Sequence, residues 1–323
     1  MLNIAILYTG QMRTMKKTLP YLKQNILLND RVHVFAVVQR DTIEDPKSLL
    51  EEQIGNHLKS FVSFIPNDPC FVAIRNNLLD TMNINQEWRE FLTYGGSMIE
   101  YYQMYLAYLE MVKYERTHHS DMSLRDPSAC EPLQCLKYDF VIRMRTDIVL
   151  SIKMDFNWLD LTNDELDRRY RVISLRKNLR DPKIINALLM NTLINWGRLD
   201  YIENPDGSTY SYAVEKITND YLRNGRYIIA IQTNAVFIIN RRDFSSISCI
   251  GLLYGTFSNE NVVQWFNAEN QLMNMCLNVG LNIFNSNTLY ERVSGLRFQP
   301  ETYLNQEGDL INTDRYNFFV MRF

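Results

Sequence analysis

The chain has 323 residues, 46% hydrophobic and 22% charged, enough for one large or two small domains with cores of their own. A net charge of -3 and an isoelectric point near 5.9 supply no general basic field, so nucleic acid is not an expected partner, while a local basic cleft for phosphates stays compatible. No run of about 18 apolar residues occurs and the opening IAILY is too short for a signal-peptide core, so neither a transmembrane segment nor export is expected. The five scattered cysteines fit reduced thiols and a cytoplasmic location.

Residues 3–8 read as a first strand that runs into the loop Thr9-Gly10-Gln11-Met12-Arg13-Thr14. Ligands of open α/β sheets bind beyond the carboxyl ends of strands. Gly10 permits close backbone approach, and Arg13 offers a planar fork suited to a diphosphate. One glycine is not a dinucleotide fingerprint, and no Gly-Lys-Ser/Thr phosphate loop is present. Taken alone, the loop reads more simply as a tight turn carrying a surface arginine.

Thr18 is a candidate cap for a helix to about residue 28, with Pro20 in its first turn. Residues 31–38 are a second buried-type strand with Gln39-Arg40-Asp41 at its carboxyl end, Asp45-Pro46 opens a helix over 46–59, and 60–65 is a third strand. This β-α-β-α-β alternation predicts a mostly parallel sheet with helices on both faces. One or two short helices follow over 69–93, broken near Asn83 and ended by Gly95-Gly96. Ser97-Met98-Ile99-Glu100 has the form of a capping box opening a helix to about Arg116. Its predicted apolar stripe is Met98, Tyr102, Tyr105, Leu109 and Val112, opposite Glu100, Gln103, Glu110 and Lys113. In the polar stretch after it, Cys130 and Cys135 with His118 and His119 suggest a zinc site, but their spacing matches no familiar finger.

Residues 138–150, YDFVIRMRTDIVL, read as a strand buried on both faces. Strand alternation would put Val141, Arg143, Arg145 and Asp147 on one face and Phe140, Ile142, Met144 and Thr146 on the other. Two guanidiniums and a carboxylate on a central strand must be paired or meet a ligand. An internal ion network that only holds the fold accounts for them as well as a site does.

Further on, Thr162-Asn163-Asp164-Glu165 is a second capping box and 171–175 a short strand. Residues 184–196 read as helix, 201–208 as a loop, and 209–224 as a helix stopped by Gly225. Residues 227–240 form one long strand or two, interrupted near Gln232-Thr233-Asn234. Asn267 is a candidate cap for a helix to Val279, and 282–284 return as strand. Glu269 is then a first-turn acid complementing the helix dipole; if the helix starts earlier, it falls within the apolar face of Val262, Phe266, Leu272 and Cys276.

The ordered set Thr9 to Arg13, Tyr138-Asp139 with Arg143-Met144-Arg145-Thr146-Asp147, and Asn267-Ala268-Glu269-Asn270-Gln271 resembles the GT-A fold glycosyltransferases. It is most similar to small bacterial and viral surface-glycan transferases, in which an R-x-R-x-D strand stands where others have Asp-x-Asp. The resemblance covers roughly residues 1–285 and implies a Rossmann-like, mostly parallel central sheet flanked by helices. A C-terminal helical elaboration would add to it. Residues 1–116 would form the nucleotide-binding half, 138–285 the metal and acceptor half, and 286–323 an extension packed on the same domain.

The activity so implied is transfer of a sugar from a nucleoside-diphosphate-sugar donor to a glycan or other hydroxyl acceptor. Thr9, Gly10, Gln11, Arg13, Arg40, Asp41, Gln103, Arg143 and Arg145 would contact the donor. Asp147 would bind a divalent cation, Mn²⁺ or Mg²⁺, bridging the diphosphate, and Glu269 would be the general base. Arg145 occupies the position of the first aspartate, and no histidine follows His119 to serve as a C-terminal ligand. Two other functions compete. A sugar nucleotidyltransferase also opens with a strand, a glycine-bearing loop and an arginine, and a non-catalytic glycan- or nucleotide-binding protein could keep the fold with a degenerate site.

Overall fold

The computed structural model describes residues 2–40, 45–81, 86–118, 137–150, 170–173, 201–203, 209–211, 227–232, 235–247, 272, 282–286 and 318–320. The N-terminal half alternates as expected: β1 Ile4–Gln11, α1 Met15–Asn25, β2 Val32–Gln39, α2 Pro46–Ile54 and β3 Leu58–Phe64. Helices α3 Pro69–Thr81, α4 Gln86–Thr93 and α5 Gly96–Thr117 lead to β4 Phe140–Arg145. The remaining described strands are β5 Ile148–Leu150, β6 Tyr170–Ile173, β7 Tyr201–Glu203, β8 Thr209–Ser211, β9 Tyr227–Gln232, β10 Val236–Asn240, β11 Asn282–Ser286 and β12 Phe318–Val320.

Eight of these strands make one sheet in the order β3-β2-β1-β4-β10-β9-β11-β6. Strands β1 to β4 are mutually parallel where they pair, β11 is parallel to β9, and β10 and β6 run against their neighbours. This is an α/β, Rossmann-like arrangement. Order reverses beside β1: the chain first builds outward to β2 and β3, then returns to place β4 on the other flank. Such a switch point leaves a crevice at the carboxyl ends of the two diverging strands. Among the described residues, no helix is long and apolar enough to cross a membrane.

Period-two alternation sorts the strand side chains into two cores. Ala5, Leu7, Phe35, Val37, Val141 and Phe237 face Met98, Tyr101, Met104, Ala107 and Met111 of α5. Ile4, Ile6, Tyr8, Val34, Ala36, Ile142 and Met144 face Met15, Leu19 and Leu22 of α1 and Leu50 and Ile54 of α2. Burying both faces explains the near-continuous apolar runs of β1 and β2.

Several local expectations are corrected. Helix α1 begins at Met15, so Thr18 lies inside it; the threonine hydroxyl bonds the Met15 carbonyl at 3.2 Å and the Thr146 carbonyl at 2.6 Å. Asp45 does cap α2, accepting from Lys47 N at 3.1 Å, but that helix ends at Ile54 and β3 starts at Leu58. Helix α5 starts at Gly96 behind Gly95, with no side-chain cap, so the capping box does not form. Its buried side is rotated from the expected stripe, with Gln103 2% exposed and Leu109 42% exposed. Apolar residues almost surround this helix, and the tertiary neighbours choose the side that is covered.

Residues 138–150 do not form one strand. Strand β4 stops at Arg145, Thr146-Asp147 turn, and β5 leaves to pair with β12 in a separate sheet. Thr209–Ser211 is a strand paired with Tyr201–Glu203, not the start of a helix; its β-branched and aromatic residues suit an extended pair. The interruption expected within 227–240 is real, separating β9 from β10. The helices expected over 184–196 and 267–279 and the second capping box lie outside the described residues, apart from helical Leu272. So does the cysteine pair with His119, while the expected 282–284 strand is β11.

At the opposite end of the sheet from the crevice, His33 Nδ1 lies 2.8 Å from the Tyr138 hydroxyl, with edge-on contacts to the Tyr114 and Tyr138 rings. Burial, followed by the charges of Lys59 and Lys137, lowers its pKa from 6.5 to about 4. The folded state therefore favours the neutral ring. The unfolded chain takes up a proton first as pH falls, so this stability is complete above about pH 6.5 and drains away toward pH 4. Urea midpoints compared at pH 7.5 and pH 4.5 should fall further for the wild type than for His33→Gln. Equal falls would remove His33 from the account.

Candidate active site

The crevice at the switch point is a cleft of about 380 Å³, within the range of small-molecule sites. The β1 end contributes Gly10, Gln11, Arg13 and Thr14, the β4 end Arg143, Arg145, Thr146 and Asp147, and the start of α5 Gly96, Ile99, Glu100 and Gln103. Gln39 at the end of β2, Pro66 after β3, and Tyr94 complete the wall.

The β1 and β4 ends are locked together through Thr146. Its N–H donates to Thr9 O at 3.0 Å and its hydroxyl to Gln11 O at 2.7 Å, while its carbonyl accepts from Thr18. Gly10 sits against this residue with φ +146°, and a Cβ there would lie 2.3 Å from Thr146 Oγ1. Gly10→Ala therefore combines a strained backbone with a collision, and should lower unfolding free energy by about 1–3 kcal/mol, measured by urea titration. Gln103, buried on α5, points its amide at Gly10 O at 3.4 Å.

The charges are arranged as linked pairs. Arg143 is only 1% exposed; it donates to Ala235 O at 2.9 Å and to Glu100 Oε1 at 2.7 Å. Burial lowers its pKa, and Glu100 opposes that shift. Arg145 grips both oxygens of Asp147, through Nε at 2.9 Å and through Nη2, and its Nη1 lies 3.8 Å from Glu100. Arg13, exposed in the same wall, has no ion-pair partner among the described residues. Among the described residues of this wall, three guanidiniums meet two carboxylates, an arrangement suited to an anion.

A divalent cation at Asp147 would compete with Arg145 for the carboxylate and take its remaining ligands from a bound diphosphate. Both carboxylate oxygens are held by Arg145, and among the described residues no three His, Cys, Asp or Glu side chains converge.

No family model matches the chain, and no curated protein matches its sequence. Among solved structures it is similar to the galactosyltransferase LgtC in complex with donor and acceptor sugar analogues, at 12% identity over 87% of this chain and 72% of that one, TM-score 0.32. It is similar to core-mannan synthase A from Aspergillus fumigatus in a Mn/GDP form, at 12% identity over 98% of this chain and 82% of that one, TM-score 0.30. Mouse xyloside xylosyltransferase 1 aligns at 8% identity over 86% and 82%, TM-score 0.31. Likeness this distant carries no functional conclusion.

Of the residues expected at a site, Gly10, Gln11, Arg13, Gln103, Arg143, Arg145 and Asp147 share the cleft. Thr9 does not line it; the side chain is fully buried, and its Oγ1 has no hydrogen-bond partner among the described residues. Arg40 is exposed and does not line the cleft either; Gln39 takes that edge. Asp41 and Glu269 lie outside the described residues. Glu100 was hidden from sequence reasoning by its resemblance to a capping-box acid, and Thr146 by the assumption of an unbroken strand. The signal available for Glu100 was the need of a central-strand arginine for a counter-charge from the helix packed over it.

Proposed function

We propose that the protein is a glycosyltransferase that moves a sugar from a nucleoside-diphosphate-sugar donor to a glycan or other hydroxyl acceptor. One observation carries the reading: Arg13, Arg143 and Arg145 converge with Asp147 on a cleft at the carboxyl ends of β1 and β4, where the sheet changes direction. A departing nucleoside diphosphate gathers negative charge, and preorganised guanidiniums stabilise that charge as it develops. Arg13 meets the diphosphate first. Arg145, joined to Asp147 and near Glu100, stands where the bond between sugar and phosphate breaks. Arg143, fixed by Glu100 and Ala235 O, supplies field rather than direct contact because it is buried.

The acceptor hydroxyl needs a base as its bond to the anomeric carbon forms. Glu269 is assigned that role on the motif resemblance. The deciding experiment offers UDP-, GDP- and dTDP-sugars to the protein with and without Mn²⁺ and follows nucleoside diphosphate release. Turnover of at least one donor is expected, and Glu269→Gln should suppress it. No release from any donor, with no nucleotide-dependent thermal shift, would end the proposal.

A further inference from the structure

The cleft has an aromatic end that the charge argument does not use. Tyr94 lines it while remaining 84% exposed, against at most 52%, at Ile65, for the other exposed large apolar side chains among the described residues. A single exposed tyrosine is ordinary on a protein surface. The backbone that carries this one is held by the turn that follows it. Gly95 and Gly96 adopt φ +95° and +40°, and a Cβ on either would strike Ile99 or Phe91 at 2.5 and 2.3 Å. Gly95 N also donates to the carbonyl of fully buried Leu92 at 2.8 Å. A packed turn of left-handed glycines thus fixes where the ring emerges, and its two side-chain torsions leave little entropy to lose on binding.

The same cleft wall holds groups that suit a heterocycle. Pro66, following β3, adds an apolar ring. Gln39, ending β2, has Oε1 buried with no hydrogen-bond partner among the described residues. An unmet buried acceptor is costly, and a terminal amide turned toward the cleft would offer both a donor and an acceptor to the edge of a base. The strand order then sets a direction. From β3 to β4 is three inter-strand steps of about 4.8 Å, or roughly 14 Å. Pro66 and Gln39 follow β3 and β2, Gly95 beside Tyr94 packs toward Phe71 and through it Phe64 at the end of β3, and Arg145 with Asp147 lies at the β4 end.

We propose that Tyr94 is the stacking platform for the base of a nucleoside diphosphate, with the diphosphate directed along the carboxyl edge of the sheet toward Arg13 and Arg145. This rests on the donor-binding part of the glycosyltransferase reading and adds a residue and an orientation to it.

Isothermal titration of the intact protein tests it, using UDP, GDP and dTDP as probes and inorganic pyrophosphate as the probe without a base. Tyr94→Ala should weaken the best-bound nucleoside diphosphate about tenfold or more and leave pyrophosphate binding unchanged, while Tyr94→Phe keeps wild-type affinity. The exposed ring is no part of the core, so neither change removes a packing contact of the fold, and an unchanged circular dichroism spectrum checks this. Wild-type affinity in Tyr94→Ala, equal loss for pyrophosphate, or loss in Tyr94→Phe as large as in Tyr94→Ala would overturn the stacking role. Failure of the wild type to bind any of the three nucleotides would instead strike the donor-binding reading from which it starts.

Discussion

Replacing Arg145 with alanine should lower donor turnover by about 100- to 1,000-fold with the fold retained. The guanidinium has two functions in the proposed reaction. It fixes Asp147 through both carboxylate oxygens, and it places positive charge beside the leaving diphosphate. Alanine removes both at once. Lysine restores a charge but not the planar fork, so Arg145→Lys should recover only part of the loss. The side chain is partly exposed at 18%, and solvent can reach the vacated space, which limits the stability cost. Steady-state kinetics on the accepted donor, alongside circular dichroism, would read this out. Wild-type kcat in Arg145→Ala would remove the residue from the chemistry and reduce the pair to a structural tie.

The largest stability effect is expected away from the cleft, at Arg241. This residue opens the short helical turn Arg241–Phe244 after β10, and its guanidinium meets Glu115 near the end of α5. Nε donates to Oε1 at 3.0 Å and Nη2 to Oε2 at 2.7 Å, with side-chain exposures of 5% and 3%. Lys137 N also donates to Glu115 Oε1 at 3.3 Å, and the Tyr108 ring lies 5.4 Å from the guanidinium. Arg241→Met strands a carboxylate in this interior and should cost about 3–5 kcal/mol in urea unfolding. The double variant Arg241→Met with Glu115→Leu should recover most of that loss, because the desolvation penalty disappears with both charges. A single variant as stable as the wild type would show that water reaches the pair.

The two ends of α5 therefore carry different duties. Glu115 secures the helix against β10, while Glu100, four turns earlier, holds Arg143 under the cleft. Both acids are charged residues on a helix dense in apolar side chains, and neither announces its partner locally. Glu100 fits a capping-box spacing, yet Gly95 and Gly96 start the helix without it and the carboxylate turns to the sheet. The partner lies 43 residues along the chain and becomes a neighbour only through the return of β4 to the flank of β1.

What the amino-acid order determined alone was the alternation of apolar strands and helices, and with it the parallel β1, β2 and β3 and the placement of Arg143 and Arg145 on one face of β4. Those features depend on side-chain periodicity and short-range sterics, which act over a few residues. Only the tertiary structure decided that the strand breaks after Arg145, that Thr146 bolts the β1 and β4 ends together, that Asp147 is held by its neighbour, and that Tyr94 stands in the cleft wall. Each of these is settled by a contact between distant segments or by the need to pair a buried charge. Such requirements arise when the sheet assembles, so no local stretch of sequence can express them.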